Sequence, residues 1–252
     1  MLIFTENTNT EKIYVLIHIP KNSGRYMRKE ITNNFIIINK INDLTIVKTE
    51  IKNERFFVPQ HNDGDIVLPA HTSYIKFKEY NINVEQFFAF TRNPYDRFLS
   101  GYFYCLELNI LKFILRSIKF TFNTNFVIDE EIEYSKDTLL LYSKDEFKEK
   151  LKIFIKIIKE LYDNNNLMNN TIFKPQYTFV VDENINIPTD IKIYKLEDYL
   201  PGSEAESFFK FENFNLKRYN YSDYYDDECL SIINEVYKKD FELLDYDKIT
   251  SL

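Results

Sequence analysis

Apolar and polar residues follow each other along this chain in two rhythms, and the points where one gives way to the other mark its elements. Ile13–Ile19 is a short β-branched run of the kind found in a buried strand. A polar break follows. Ser23–Asn33 then has helical spacing, with Met27 and Ile31 four apart on one face. Asp65–Pro69, Gln86–Thr91 and Ile191–Leu196 are further apolar runs that predict strands, and Phe179–Asp182 is a shorter candidate. Pro94 suits a first helical turn and opens a helix over Tyr95–Tyr104. Asp145–Tyr162 carries apolar residues at 147, 151, 154, 155, 158 and 161, a helical period. Asp223–Leu244 behaves similarly through Leu230, Ile233, Val236, Phe241 and Leu244. Residues 34–60 and 163–175 predict loops.

Strands that alternate with helices predict an α/β fold, a mostly parallel central sheet flanked by helices. No internal repeat and no linker rich in Pro, Gly or Ser divides the chain, so residues 1–252 are read as one domain. The 44% of hydrophobic residues is enough for a substantial core and argues against general disorder. The bias toward Ile, Asn, Lys and Tyr fits an AT-rich genome.

Charge narrows the partners. A net charge of −7 disfavours non-specific nucleic-acid binding, which needs a broad positive field. Any anionic ligand must be held by a local cluster of cations and backbone N–H groups. Two cysteines, Cys105 and Cys229, are too few and too scattered for a disulfide framework or a zinc site, and fit a reducing compartment. The amino-terminal residues lack the basic and then apolar pattern of a signal peptide. The longest apolar stretch, Leu106–Phe122, is interrupted by Glu107, Lys112, Arg116 and Lys119, so no membrane span is expected. The expectation is a soluble, cytoplasmic protein of bacterial or viral origin.

The chain has four glycines, and one of them, Gly24, lies between the Ile13–Ile19 strand and the helix after it. A strand that turns tightly into a helix aims backbone N–H groups and the positive end of the helix dipole at one point, an anion cradle. A glycine lets a ligand approach that backbone closely, and Lys21 adds a point charge. Neither GxxxxGK[ST] nor GxGxxG is present. A second corner lies in FTRNPYDRFLSGY, residues 90–102, where Arg92 sits at a strand mouth and Ser100 follows eight residues later. Arg92 through its planar fork and Ser100 through its hydroxyl can approach one phosphate. Arg97 can instead pair with an acidic neighbour such as Asp96.

Taken together, the two segments resemble the paired signature of sulfotransferases that use 3′-phosphoadenosine 5′-phosphosulfate (PAPS). HIPKNSG, residues 18–24, is similar to the family's 5′-phosphosulfate loop, and RNPYDRFLSGY, residues 92–102, to its 3′-phosphate motif RxPxxRxxSxY. Weaker echoes follow in the family's order at Lys174–Gln176 and Tyr194–Asp198. After the loop glycine the family usually has two hydroxyl residues, where this chain has Arg25 and Tyr26.

The resemblance implies a P-loop-like fold and transfer of the sulfuryl group from PAPS to a hydroxyl of a glycan acceptor, with no metal required. It places Lys21, Asn22, Ser23, Gly24, Arg25, Tyr26, Arg92 and Ser100 around the cofactor, with Lys21 stabilising the leaving oxygen, and Tyr74, Lys174 and Gln176 along the cleft. The acceptor hydroxyl must lose a proton. Of three histidines, His18 lies in a strand and reads as a satisfied core residue, and His61 as an exposed loop residue. His71 follows the apolar run IVLP at a strand's carboxyl end, where open α/β sheets place ligands, and is the candidate base. Glu54 and His61 are the reserves. Two other functions compete: a catalytically inactive nucleotide- or glycan-binding relative, and a nucleotide-dependent kinase, which would want a full Walker loop.

Overall fold

A computed structural model describes residues 1–38, 40–41, 44–45, 66–67, 71–107, 143–199, 202–211 and 214–252. In chain order its elements are β1 (Leu2–Glu6), β2 (Asn9–Ile17), α1 (Gly24–Asn34), β3 (Ile36–Ile37), β4 (Lys40–Ile41), β5 (Leu44–Thr45), β6 (Ile66–Val67), α2 (Tyr74–Lys78), β7 (Gln86–Thr91), α3 (Pro94–Glu107), α4 (Lys144–Asp163), β8 (Ile191–Lys195), α5 (Glu204–Phe209), α6 (Asp227–Val236) and α7 (Lys238–Leu243). They form two compact units, Met1–Arg92 with Gln176–Leu216, and Asn93–Pro175 with Lys217–Leu252.

The first unit holds a five-stranded sheet in the order β3-β1-β2-β7-β8. The expected mostly parallel sheet is corrected here, because the sheet is mixed. β2, β7 and β8 run parallel, while β1 is antiparallel to both β2 and β3. The cause is the amino-terminal strand, which the hydrophobic pattern does not predict. A two-residue turn joins β1 to β2, and so short a connection can only join antiparallel neighbours. Residues Ile3 and Phe4 are wholly buried, so both faces of β1 are covered. Met27 and Ile31 of α1 are buried with Phe4, Phe88, Phe90 and Phe209 in one cluster, as their spacing predicts. The Asp65–Pro69 run contributes only Ile66–Val67, paired in a separate small sheet with β5; its other residues lie outside the described ones.

Phe179–Asp182 is not a strand. A 3-10 turn covers Gln176–Phe179, and Phe179, Val180 and Val181 are buried there. A short apolar run without period serves a buried turn as well as a strand.

The second unit is helical in its described part. Ser143 caps α4 through a reciprocal box with Glu146, and Leu151, Phe154, Ile155, Ile158 and Leu161 turn inward. The segment read as one helix over Asp223–Leu244 is two, parted at Tyr237, whose buried hydroxyl donates to the Phe173 carbonyl at 2.7 Å. Cys105 and Cys229 are buried in this core and form no disulfide. Among the described residues no helix is long and apolar enough to cross a membrane.

Candidate functional site

Because β2 and β7 are parallel neighbours, with Ile17 opposite Ala89, their carboxyl ends leave the sheet on one edge. The corner after β2 and the exit of β7 therefore meet. Arg92 Nη1 donates to the Lys21 carbonyl at 3.4 Å, although the two residues are 71 positions apart.

Lys21 (φ 70) and Ser23 (φ 55) are both left-handed while Asn22 between them is not. Each costs about 1–3 kcal/mol for a residue with a Cβ and persists only where the surroundings impose it. The imposing contacts are polar and buried. Asn22 Nδ2 donates to the Phe90 carbonyl at 2.7 Å and to Gln176 Oε1 at 2.8 Å. Gln176 Oε1 also accepts from the Arg92 N–H at 3.0 Å, and its Nε2 donates to the Arg92 carbonyl at 2.7 Å. The Gln176 amide thus pairs with Arg92 at both its backbone groups, as a neighbouring strand would. Asn22, Gln176 and Arg92 are 2%, 0% and 4% exposed, so the side chains of the first two act as struts. Gln176 is corrected from a cleft-lining residue to a buried support, and Asn22 uses its amide nitrogen in the same network while its Oδ1 is buried without a hydrogen-bond partner.

The corner carries positive potential. Alternation of φ sign turns successive N–H groups to one side, and α1 begins immediately after it. Ser23, at the N-cap, makes no side-chain cap bond, and no acidic residue lies in the first turn of α1. Lys21 adds its charge, and the Arg92 guanidinium lies beside the corner on the Lys21 carbonyl. These donors suit an anion with more than one oxygen, and so fit a phosphosulfate group.

Gly24 has a different neighbour from the one its motif suggests. A Cβ built on it would fall 1.7 Å from Nε2 and 2.3 Å from Cδ2 of His18. The imidazole takes the side chain's place. His18 Nδ1 lies 3.2 Å from Nη2 of Arg28, which is one helical turn beyond Gly24 on α1. A guanidinium only donates, so Nδ1 accepts and the proton of the neutral ring is on Nε2. Burial first, then the amino terminus, His71, Arg28 and Lys21, push the pKa of His18 well below its ordinary value. The ring is neutral, and it lies just past the end of β2 at Ile17 and is partly exposed, where the sequence reading placed it within the strand as a core residue. His71 stands beside it, with ring centroids 4.6 Å apart, and its Nδ1 is 3.0 Å from the His18 carbonyl. A carbonyl only accepts, so His71 carries a proton on Nδ1, and in its neutral form the basic lone pair is on Nε2.

The remaining sequence candidates disperse. The ring of Tyr26 packs against Phe211 and Phe214 at 5.8 and 5.4 Å between centroids, which places it against an apolar cluster and not at the anion cradle expected of it. The side chain of Arg25 and the reserves Glu54 and His61 lie outside the described residues. Tyr74 is buried edge-on against Phe87, and its hydroxyl donates to Asp190 Oδ1 at 2.8 Å, a packing role in place of the expected cleft-lining one. Burial, then this hydrogen bond, raise its pKa.

Ser100 and Lys174 belong to the second unit, Ser100 half-buried on α3. The pKa of the Lys174 ammonium is lowered by burial and then by the charge of Arg97. Arg97 is buried and donates to the Ile172 carbonyl at 2.9 Å, while Asp96 accepts from the Tyr219 N–H at 3.2 Å.

Arg28 is the residue that sequence reasoning missed, and its signal was the four-residue step from Gly24. Compared with known protein families, curated protein sequences and solved structures, the chain matches none of them.

Proposed function

We propose that this chain is a sulfotransferase that moves a sulfuryl group from PAPS to a hydroxyl of a carbohydrate acceptor. The observation that carries this reading is the meeting of the two motif corners on one sheet edge, with the Arg92 guanidinium on the Lys21 carbonyl. The motifs were matched on sequence alone, and a shared nucleotide requires this adjacency.

In this reading Lys21 and the first N–H groups of α1 hold the 5′ phosphosulfate end, and Arg92 holds the 3′-phosphate. When bound, PAPS would supply the sulfuryl group: the acceptor oxygen would bond to sulfur as the bond from sulfur to the 5′-phosphate oxygen breaks, leaving 3′-phosphoadenosine 5′-phosphate with the added negative charge. Lys21 stabilises that charge where it develops, and stabilisation of this kind usually contributes most of the rate enhancement in such transfers. His71 takes the acceptor's proton on Nε2, while its Nδ1–H stays on the His18 carbonyl.

Calorimetry with 3′-phosphoadenosine 5′-phosphate against 5′-AMP tests the assignment. The bisphosphate is expected to bind more tightly, and equal affinity for the two removes the 3′ clamp and the assignment with it. One observation favours a second reading, a nucleotide- or glycan-binding module without turnover. The residue two after Gly24, where the family has a hydroxyl residue, is Tyr26, whose ring is packed in an aromatic cluster. Lys21→Ala separates the two, because it lowers turnover in an enzyme and changes only binding in a module.

A further inference from the structure

We propose that His18 is a positioning residue that ties the start of α1 to His71, so that the anion cradle and the basic nitrogen are set by one imidazole-bearing residue. The proposal rests on the reading of His71 as the base. It stands on three contacts made by His18. Its ring fills the position of a Gly24 Cβ, with Nε2 1.7 Å from that point. Its Nδ1 accepts from Arg28 Nη2 at 3.2 Å. Its carbonyl accepts from His71 Nδ1 at 3.0 Å, with the two rings 4.6 Å apart.

Each contact constrains the next. Arg28 and Gly24 are four apart on α1 and so share one face, which receives the edge of the His18 ring. With the ring held by the guanidinium and stopped by the Gly24 backbone, the His18 backbone has little freedom to turn its carbonyl. That carbonyl then decides which nitrogen of His71 keeps its proton. A His71 carrying its proton on Nε2 would present a donor to an acceptor hydroxyl and could not take its proton. A neighbouring group that fixes a tautomer in this way is a familiar means of preparing a histidine. The groups facing His18 are the amino terminus, Lys21 of the corner, Arg28 of α1 and His71, all of them cationic or able to become so. His18 therefore stays neutral and keeps accepting from Arg28.

The chain has three histidines, so long-range proton–nitrogen correlation spectra of the imidazoles resolve each ring in the intact protein. The expected result is His18 protonated on Nε2 and His71 protonated on Nδ1 near neutral pH. His71 protonated on Nε2, or His18 on Nδ1, overturns the proposal, and this measurement needs no variant to fold. In Arg28→Met the His18 signals are expected to titrate closer to the ordinary histidine range, and His71 is expected to become a mixture of tautomers. An unchanged His71 in that variant would show that Arg28 and the His18 ring do not position it. With turnover in hand, Arg28→Met is expected to lower kcat about tenfold, the scale for partners that orient a histidine, with little change in KM. Failure of the base reading is seen elsewhere. His71→Ala is expected to lose at least about a hundredfold in turnover, and normal turnover in that variant removes the base whatever the tautomers are.

Discussion

Replacing Gly24 by alanine sets two physical effects against each other, and the fold decides the sign. Gly24 is the first residue of α1 and is not in the left-handed region, so its backbone accepts any residue. Helix propensity alone therefore makes Gly24→Ala stabilising by about 1 kcal/mol. Against this, the new methyl would sit 1.7 Å from His18 Nε2, 2.3 Å from Cδ2 and 2.6 Å from Cε1, inside the ring's own volume. If the ring stays, the overlap must be relieved by backbone and side-chain shifts, at about 1–3 kcal/mol. If it swings away, it gives up its charge-assisted bond from Arg28, about 1.5–3 kcal/mol. Either route offsets propensity and leaves a net loss of up to about 2 kcal/mol, or up to roughly 8 °C in Tm for a chain of this length.

A double-mutant cycle isolates the cause. In a His18→Ala background the ring is gone, and Gly24→Ala is expected to be neutral or stabilising, with a coupling of about 1–3 kcal/mol between the two sites. Urea denaturation of the four proteins measures it. A Gly24→Ala protein that is more stable than the parent, or that loses the same amount in both backgrounds, would refute the contact.

Gln176→Leu removes an amide that serves the Arg92 N–H, the Arg92 carbonyl and Asn22 in a wholly buried position; it is expected to cost about 2–4 kcal/mol in urea denaturation. A neutral result would mean that the two corners hold together without it. Arg92→Ala is expected to weaken binding of 3′-phosphoadenosine 5′-phosphate by about 1.5–3 kcal/mol, roughly 10- to 150-fold by calorimetry, and to leave 5′-AMP almost unaffected. Burial pushes the Asp226 carboxyl up, but bonds from Lys152 and the Cys229 N–H outweigh it and hold the pKa at about 2, below the ordinary value of 3.8. A depressed carboxylate stabilises the fold above its unfolded pKa and loses that contribution as pH falls through the folded one. Asp226→Asn, which keeps a capping side chain, is therefore expected to be less stable than the parent at pH 7, with the gap closing between about pH 4 and 2; a gap that persists at pH 2 would contradict the pairing.

The elements whose side chains meet one environment were legible. Gln86–Thr91 is a strand with the bounds read from the sequence, a continuous apolar run buried on both faces, and α4 turns inward most of the residues its period named, because burial on one side of a helix leaves a regular trace. The amino-terminal strand was not read, and with it went the mixed character of the sheet. Its apolar run, Leu2–Phe4, is short, and its pairing is set by a turn of ordinary polar residues that carry no glycine or proline signal. The position of Lys21 and Arg92 at neighbouring strand ends was legible, because charge next to a strand end is conspicuous. Asn22 and Gln176 were named but with the wrong role. Nothing local distinguishes an amide that faces a ligand from one that pairs with backbone 84 residues away, since burial and partner both come from the tertiary fold.

Gly24 stands at the strand-to-helix corner the sequence named, but with a different neighbour. The motif suggests that a glycine at a strand-to-helix corner admits a phosphate or sulfate to the backbone. Here the missing Cβ leaves room for His18, and the φ of Gly24 makes no demand that another residue could not meet. What binds the anion in the proposed function is then the strained pair Lys21 and Ser23 and the start of α1. What Gly24 secures is the imidazole behind them. The two jobs separate experimentally. A change at Gly24 should disturb His18 and His71 before it disturbs the donors of the corner, whereas a change at Gln176, which braces Asn22 and Arg92, should act in the opposite order. Nitrogen spectra of the histidines and nucleotide titrations on the same two variants would reveal that ordering, and a single common effect of both would mean that the corner behaves as one rigid body.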